Sequence, residues 1–541
     1  MRETRGPKPD RPRPGRIAST IVVQLIDVCS LSTARFRDRM VRWLTGEVVS
    51  GGELSLRMSD TDLVIVGGGI SGASLLYTVA KFTDVEDVTL IEKEREVAAI
   101  NSHRTNNSQT LHFGDIETNY TLEKAEEVKE GAELLAGYLE GEDPDREMHS
   151  KRSKMVLGVG DEEVAKLEER YHENGFGDLF PKLREIGREE IAELEPKVVE
   201  GRDPGTELKA LQTPDGYVVD YGAVAESFVD AAREEEGVSV HLGTTVTNVD
   251  ERGDGFRVET DDGDFEAEAV VVAAGSHSLQ FAKEMGYGEG MSLLPVAGSF
   301  FLADDLLNGK VYTLQMKKLP FAAVHGDADV HDDGITRFGP TAKLVPALER
   351  GHLSTVSDFV DVFGFNPDSV LSYVNILSDK ILFPYVVRNL VYDLPVVGKR
   401  AFLPDVQKVV PSVDVDDIDR AKGYGGVRPQ IVDTENKELD MGEAKIVEDG
   451  VLFNITPSPG ASTALKNAMT DVETVLGFFE DDYEFDEAAF RDATIENFPR
   501  LDDEAAGDDA AAADAEADDE TAADGDADAE ADDEVAAEAD D

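Results

Sequence analysis

The chain has 541 residues, 41% of them hydrophobic, enough for a large core spread over about two domains. Its 52 Lys+Arg against 113 Asp+Glu leave a formal charge of -61, which repels phosphate backbones and excludes nucleic acid as a partner. Cys29 is the only cysteine, so a disulfide framework and a cysteine-built metal cluster are excluded, and no apolar run reaches the roughly 18–20 residues of a spanning helix.

Residues 1–57 stand apart, rich in Pro and Arg and carrying eleven Lys/Arg against six Asp/Glu. Their apolar run, 17–31, is broken by Asp27 and makes a poor signal peptide. Met58-Ser59-Asp60-Thr61 leads straight into a strand, so translation is expected to start at Met58, leaving 1–57 as a non-native or disordered extension. A membrane-targeting segment is the alternative. Residues 58–500 still carry a net charge of -46. A surface so loaded with carboxylates suits a cytoplasm at molar salt, where the Debye length shrinks to ~3 Å, and points to a halophile.

Asp62-Leu63-Val64-Ile65-Val66 is a short β run, followed by Gly67-Gly68-Gly69-Ile70-Ser71-Gly72 and a helical stretch. A second β run, Val88-Thr89-Leu90-Ile91, ends at Glu92. Gly67-x-Gly69-x-x-Gly72 in this strand–turn–helix–strand setting is a dinucleotide fingerprint. Gly67 makes the tight turn, Gly69 admits a pyrophosphate to the backbone, Gly72 lets helix and strand pack, and Glu92 accepts from the adenosine ribose. The helix N-terminus faces the phosphates. The strand 238–246, ending at Val246, is expected beside the adenine. Residues 266–275 (Glu-Ala-Glu-Ala-Val-Val-Val-Ala-Ala-Gly) read as a buried strand ending in a turn at Gly275, which favours FAD over a nicotinamide cofactor.

Two further stretches are distinctive. Residues 101–112 read Asn-Ser-His-Arg-Thr-Asn-Asn-Ser-Gln-Thr-Leu-His and lead to Glu117-Thr118-Asn119-Tyr120-Thr121. Gly426-Val427-Arg428-Pro429-Gln430 is followed later by Ser458-Pro459-Gly460-Ala461-Ser462-Thr463-Ala464. Together they resemble the malate:quinone oxidoreductases, FAD enzymes of the D-amino-acid-oxidase-like group, in a strongly acidic, haloarchaeal-type form. The similarity runs over most of 60–480 and leaves out both tails. Ser108-Gln109-Thr110-Leu111 stands where that family usually carries a glycine-containing run.

The resemblance implies oxidation of (S)-malate to oxaloacetate by hydride transfer to flavin, with electrons passed to a membrane quinone by a protein on the inner, cytoplasmic face of the membrane. Another 2-hydroxy-acid dehydrogenase, such as one for 2-hydroxyglutarate, and a non-catalytic flavin-fold binding protein are the alternatives. The turn Gly460-Ala461-Ser462 opens a helix whose amides and dipole are expected against the flavin, where negative charge develops. Asn106 and Asn107 are expected to line the flavin ring or ribityl chain. Removing the hydroxyl proton calls for a neutral His. His325, oriented by Asp327 in the family's His-x-Asp, is preferred, and His112 is second. Arg337 and Arg428 match the two malate carboxylates as guanidinium forks, with Gln430 beside them. Asp327-x-Asp329-x-His331-x-Asp333 fails the calcium-loop template, so no metal is assigned.

Residues 380–392 combine aromatics with bases and continue to Lys399-Arg400-Ala401-Phe402-Leu403, a stretch read either as lipid-headgroup docking or as internal packing. The fold class expected is α/β: a Rossmann-type FAD-binding domain (58–150, 206–295, 425–480) interleaved with an α+β substrate domain (151–205, 296–424) that contains an antiparallel sheet. Residues 481–500 are expected to be a linker. The run 501–541, twenty Asp/Glu without a base or an aromatic, is expected to be a disordered acidic tail.

Overall fold

A computed structural model describes residues 58–498 except 316–322, 333, 365, 395–396, 441–443, 456–459 and 480–482. The expectations for 1–57 and 501–541, and for Ser458 and Pro459, lie outside the described residues.

The first sheet has the strand order 444–448, 451–455, 264–272, 58–66, 88–92, 238–242, with the hairpin 246–252/255–260 joined to 264–272. Met58–Val66 runs parallel to Val88–Glu92 on one side and Asp264–Val272 on the other. Parallel strands covered on both faces need continuous apolar runs rather than alternation. Leu63 and Ile65 accordingly face one core, with Leu75, Leu76 and Val79 of the helix Ile70–Phe82 and Phe228 of the helix Tyr221–Arg233. Val64 and Val66 face another, with Val270, Val272 and Phe453.

The second sheet is ordered 419–420, 301–304, 335–339, 325–328, 310–313, 149–159, 208–219, 184–187, antiparallel except where 310–313 runs beside 149–159. The helix Val397–Val409 packs on it through Phe402, Val406 and Val409 against Phe301 and Phe338. A third, four-stranded antiparallel sheet joins 343–344, 291–297, 427–433 and 438–440. The α/β class with an interleaved antiparallel-sheet region is therefore as the sequence indicates.

Some boundaries differ. Leu208–Val219 pairs with His149–Val159, so the chain returns to the nucleotide side after Val219 rather than at 206. Met291–Ala297 and Val427–Asp433 pair with each other in the small sheet, and the first sheet resumes only at Ala444. The span 481–500 holds the helix Glu487–Thr494, capped by the Asp486 carboxylate accepting from Ala489 N at 2.9 Å, with Phe490 fully buried. It packs on the helix Leu122–Glu142, where Gly137 has no room for a side chain: a Cβ there would lie 1.8 Å from Thr494 O.

Candidate active site

Gly67, at φ +111°, ends the first strand so close to Asp264–Val272 that a Cβ would sit 2.6 Å from Ala273 O. At Gly72 a Cβ would lie 1.9 Å from Gly67 O. Gly69 caps the helix Ile70–Phe82 without a side chain, and the nearest atom to a Cβ on it is Ser102 Oγ at 3.5 Å. Ile70 N donates to Ser102 Oγ at 3.0 Å, and the glycine face with the helix amides that follow forms a cradle suited to an anionic diphosphate. Glu92 takes Gly68 N at 2.6 Å and Glu94 N at 2.8 Å on its two oxygens, and its burial raises the carboxyl above its ordinary value. Thr244 N donates to Glu92 O at 2.9 Å, which sets buried Val246 beside that strand end. Gly275, at φ +58°, has open space for 4 Å around the point where a Cβ would stand. The glycine turn, Glu92, Val246 and Gly275 thus meet at the C-terminal edge of the parallel strands, where open α/β sheets bind nucleotides. These residues fit FAD.

Ser462 is buried in the turn before the helix Ala464–Leu476. Its Oγ accepts from His112 N at 2.9 Å and lies 3.2 Å from Tyr221 Oη, which donates to Thr110 O at 2.8 Å. Thr463 provides no side-chain cap, so the helix amides that follow Gly460 and Ala461 are not covered from that side. Asn106 and Asn107 differ from expectation. Asn106 donates to Ile100 O at 2.6 Å, and Asn107 to the carbonyls of Asn101, Ser102 and His103 at 3.0–3.2 Å while accepting from Gln109 N at 2.9 Å. Their amides brace their own loop, because a turn this tight leaves carbonyls without other donors.

The second sheet carries a row of charge. In register across four neighbouring strands stand Lys154, Lys310, Asp327 and Arg337, each of them fully buried. Lys310 Nζ is 3.3 Å from Asp327 Oδ1, and Arg337 Nη2 is 3.7 Å from Asp327 Oδ2. Two residues along, on the same face, Tyr312 and His325 form the next rung, their rings stacked at 4.2 Å and 20°. His325 Nε2 lies 3.1 Å from Asp327 Oδ2, near but off the hydrogen-bonding axis. Burial pushes the His325 imidazole below its ordinary value in spite of Asp327, so it is neutral at pH 7. Burial works to raise Asp327, but His325, Lys310 and Arg337 together hold its carboxyl well below the usual range.

Both ring nitrogens of His325, both Asp327 oxygens, and Nε and Nη2 of Arg337 are buried without a well-aligned hydrogen bond among the described residues. Since roughly 90% of buried polar groups are paired, this concentration offers donors and acceptors to a small polar molecule. Arg428, on Val427–Asp433, adds a further cation. It is partly buried, its charge is felt by His325, and it faces Tyr312 and Tyr385 without a hydrogen bond or ion pair among the described residues. Gln430, two residues on and so on the same face, donates to Pro429 O at 3.3 Å. Asp329 binds Arg104 at 3.4 Å and Gln109 at 3.1 Å and lies 3.7 Å from Arg337. Locally, Arg104, Lys310 and Arg337 face Asp327 and Asp329, three cations to two carboxylates, and Arg428, whose charge reaches His325, adds a fourth cation in a chain of charge -61.

His112 stands on the other side of Tyr312, with ring centroids 6.3 Å apart. Its Nδ1 is 2.5 Å from Glu117 Oε1, and Glu117, despite burial, is drawn down to about 2 by His112 and Lys154. That ring nitrogen is committed to Glu117, which leaves Nε2 of His112 as its proton-accepting atom and keeps His112 the second candidate base. His331 pairs with Asp220 at 2.8 Å, so Asp327, Asp329 and His331 turn to separate partners rather than converging. Asp333 lies outside the described residues. Sequence reading missed Lys310, Tyr312 and Lys154; Lys-x-Tyr within Lys310–Thr313 is ordinary strand alternation, and only the register reveals the row.

A profile of the DAO family, FAD dependent oxidoreductases, matches residues 62–465. A probable malate:quinone oxidoreductase of Campylobacter jejuni is 40% identical over 447 residues, spanning 80% of this chain and 99% of that protein. A malate:quinone oxidoreductase of Helicobacter pylori is 39% identical over 435 residues, spanning 79% and 96%. The human mitochondrial L-2-hydroxyglutarate dehydrogenase is 26% identical over 446 residues, spanning 77% and 88%. In fold, the FAD-bound L-alpha-glycerophosphate oxidase of Mycoplasma pneumoniae superposes with a TM-score of 0.55 at 16% identity, over 77% of this chain and 95% of that one.

Proposed function

The chain belongs to the malate:quinone oxidoreductase family of FAD-dependent oxidoreductases, and from that premise we propose how its residues divide the work. It is an FAD-dependent malate dehydrogenase that oxidises (S)-malate to oxaloacetate and uses a quinone as electron acceptor. The 2-hydroxyglutarate dehydrogenases are distant relatives at 26% identity. Bound FAD supplies the acceptor for the hydrogen and electron pair leaving malate C2. Gly67, Gly69, Gly72, Glu92, Val246 and Gly275 hold its nucleotide half, and the turn Gly460-Ala461-Ser462 presents helix amides to its ring.

His325 takes the hydroxyl proton from malate, and Asp327 stabilises the imidazolium that results. Arg428 and Arg337 bind the two carboxylates, with the Gln430 amide alongside. One observation carries this assignment: a neutral imidazole without a hydrogen bond among the described residues lies near Arg104, Lys310, Arg337 and Arg428 against Asp327 and Asp329, an excess of two positive charges that a dicarboxylate neutralises. A monocarboxylate would leave a buried cation unmatched, a costly outcome. Turnover with a dye acceptor should therefore favour malate over lactate. Equal rates with lactate would reject the double-arginine assignment.

The enzyme also meets its quinone at a membrane surface, in this reading on the cytoplasmic face and within the tricarboxylic acid cycle. Among the described residues no single helix is long and apolar enough to cross a membrane. The helices Pro367–Leu377 and Leu382–Tyr392, bent by 82°, bury Tyr373, Ile376, Leu382 and Tyr392 but leave Val370, Leu371, Val374, Val387 and Leu390 exposed, with Ile381 at the start of the second exposed as well. The stretch 380–392 thus has both an internal and an external face. Residues 367–403 hold four Lys/Arg and three Asp/Glu, a relief from the acidity elsewhere. Lys399 is paired with Asp419 at 2.9 Å, whereas Lys380 and Arg400 are exposed with no such partner among the described residues. An exposed apolar face beside free bases suits an anionic lipid surface. Leu371→Glu with Leu390→Glu should abolish flotation with anionic vesicles while sparing dye reduction, and unchanged flotation would refute this docking face.

A further inference from the structure

We propose that Lys310 is a positioning residue for malate oxidation: its buried ammonium holds the Asp327 carboxylate in place behind His325 and ties that pair to the cofactor-side loop. The inference rests on His325 being the proton acceptor. The geometry argues against any direct role for the lysine. Two of its N–H groups donate to Ser108 O at 3.0 Å and Thr110 Oγ1 at 2.9 Å, and its remaining side faces Asp327 Oδ1 at 3.3 Å. With three oxygens around three donors and no exposure, nothing is left to reach substrate.

Stability alone does not call for a charge here. A fully buried ammonium is costly, and apolar side chains in place of the whole charged row would satisfy the interior of a sheet more cheaply. What the charge accomplishes is visible in its partners. Among the described residues Asp327 has no well-aligned hydrogen bond and is held by ion pairs, from Lys310 on one neighbouring strand and Arg337 on the other. Should Arg337 turn to a substrate carboxylate, Lys310 remains as the fixed cation. On the loop side, Thr110 Oγ1 also bonds Tyr312 Oη at 2.6 Å, and Thr110 O accepts from Tyr221, which meets Ser462. The lysine therefore connects His325–Asp327 to the turn that opens the helix Ala464–Leu476.

The electrostatic consequence has a sign. His325 faces Asp327 on its own strand, Tyr312 and Lys310 on the next, and Arg428 from the third sheet. Lys310 faces Asp327, Arg337 and, across the parallel strand, Lys154. Of these, Lys310 and Arg428 favour the neutral imidazole and Asp327 opposes it. Removing the lysine charge leaves the pull of Asp327 opposed by Arg428 alone among these groups, so His325 holds its proton to higher pH.

The test is the pH profile of malate kcat/KM in FAD-loaded Lys310→Met and Lys310→Gln, beside wild type and His325→Asn. The acid limb, where a protonated His325 stops the reaction, should move up by about one pH unit in either neutral variant, with kcat at neutral pH at least about tenfold lower. His325→Asn should lose the limb. A merely structural lysine would lower rates or FAD content with the limb unmoved, and that result in the variant that retains FAD overturns the proposal. Persistence of the limb in His325→Asn would instead overturn the proton-acceptor reading.

Discussion

Arg428 carries the sharpest energetic expectation, because no counter-charge pairs with it among the described residues. Burial lowers its pKa from the ordinary guanidinium value, a sign that the fold holds the charge at a cost. A carboxylate about 4 Å away at an effective dielectric near 20 supplies about 4 kcal/mol, less what desolvation of the substrate takes back. Allowing for that loss, Arg428→Gln should cost about 3 kcal/mol in kcat/KM, on the order of a hundredfold, and most of it should appear in KM because the carboxylate is bound equally before and during reaction. Stability should respond differently. Removing the guanidinium leaves no orphaned carboxylate, so the melting midpoint should hold or rise, whereas Arg337→Gln strips a cation from buried Asp327 and should lower it. Steady-state kinetics with a dye acceptor and a thermal melt of the same FAD-loaded preparation read both quantities. A loss in kcat/KM under fivefold, or a midpoint several degrees below wild type, would refute the reasoning.

His325→Asn should keep its FAD and lose about 10²–10⁴ in kcat, the range for a general base, as measured under saturating malate. Because burial lowers the His325 pKa, the wild-type acid limb should fall below the ordinary imidazole value near 6.5; an apparent value above 7 in the free enzyme would contradict the geometry. Gly72→Ala forces a Cβ to within 1.9 Å of Gly67 O, so the purified variant should contain little FAD by absorbance. With a net charge of -61, the folded state should melt at higher temperature in molar KCl than at 0.1 M, where the Debye length is about 10 Å; a flat dependence in a salt titration would remove the halophile reading.

The cofactor end of the molecule was legible because its constraints are local. Gly67, Gly69 and Gly72 fall within six residues; Gly67 and Gly72 answer steric demands made within the same turn or by the adjoining strand, and Gly69 leaves its face open. Arg428 and His325 were also within reach, since a lone base in an acidic chain and a His-x-Asp invite chemistry. The row from Lys154 to Arg337 was not, because it assembles from four segments whose register no single window contains. Asn106 and Asn107 misled for a related reason: an amide beside a cofactor and one bracing a loop have the same sequence. The helix Glu487–Thr494 was hidden by the acidic residues around it, although Asp486 as a cap and Phe490 as an anchor were its signals.

The most direct measurement is anaerobic addition of (S)-malate to the purified protein while the flavin absorption near 450 nm is followed. Stoichiometric bleaching by malate, restored by a soluble quinone, is the predicted result. A colourless protein, or a flavin band untouched by malate but bleached by 2-hydroxyglutarate, would contradict the account.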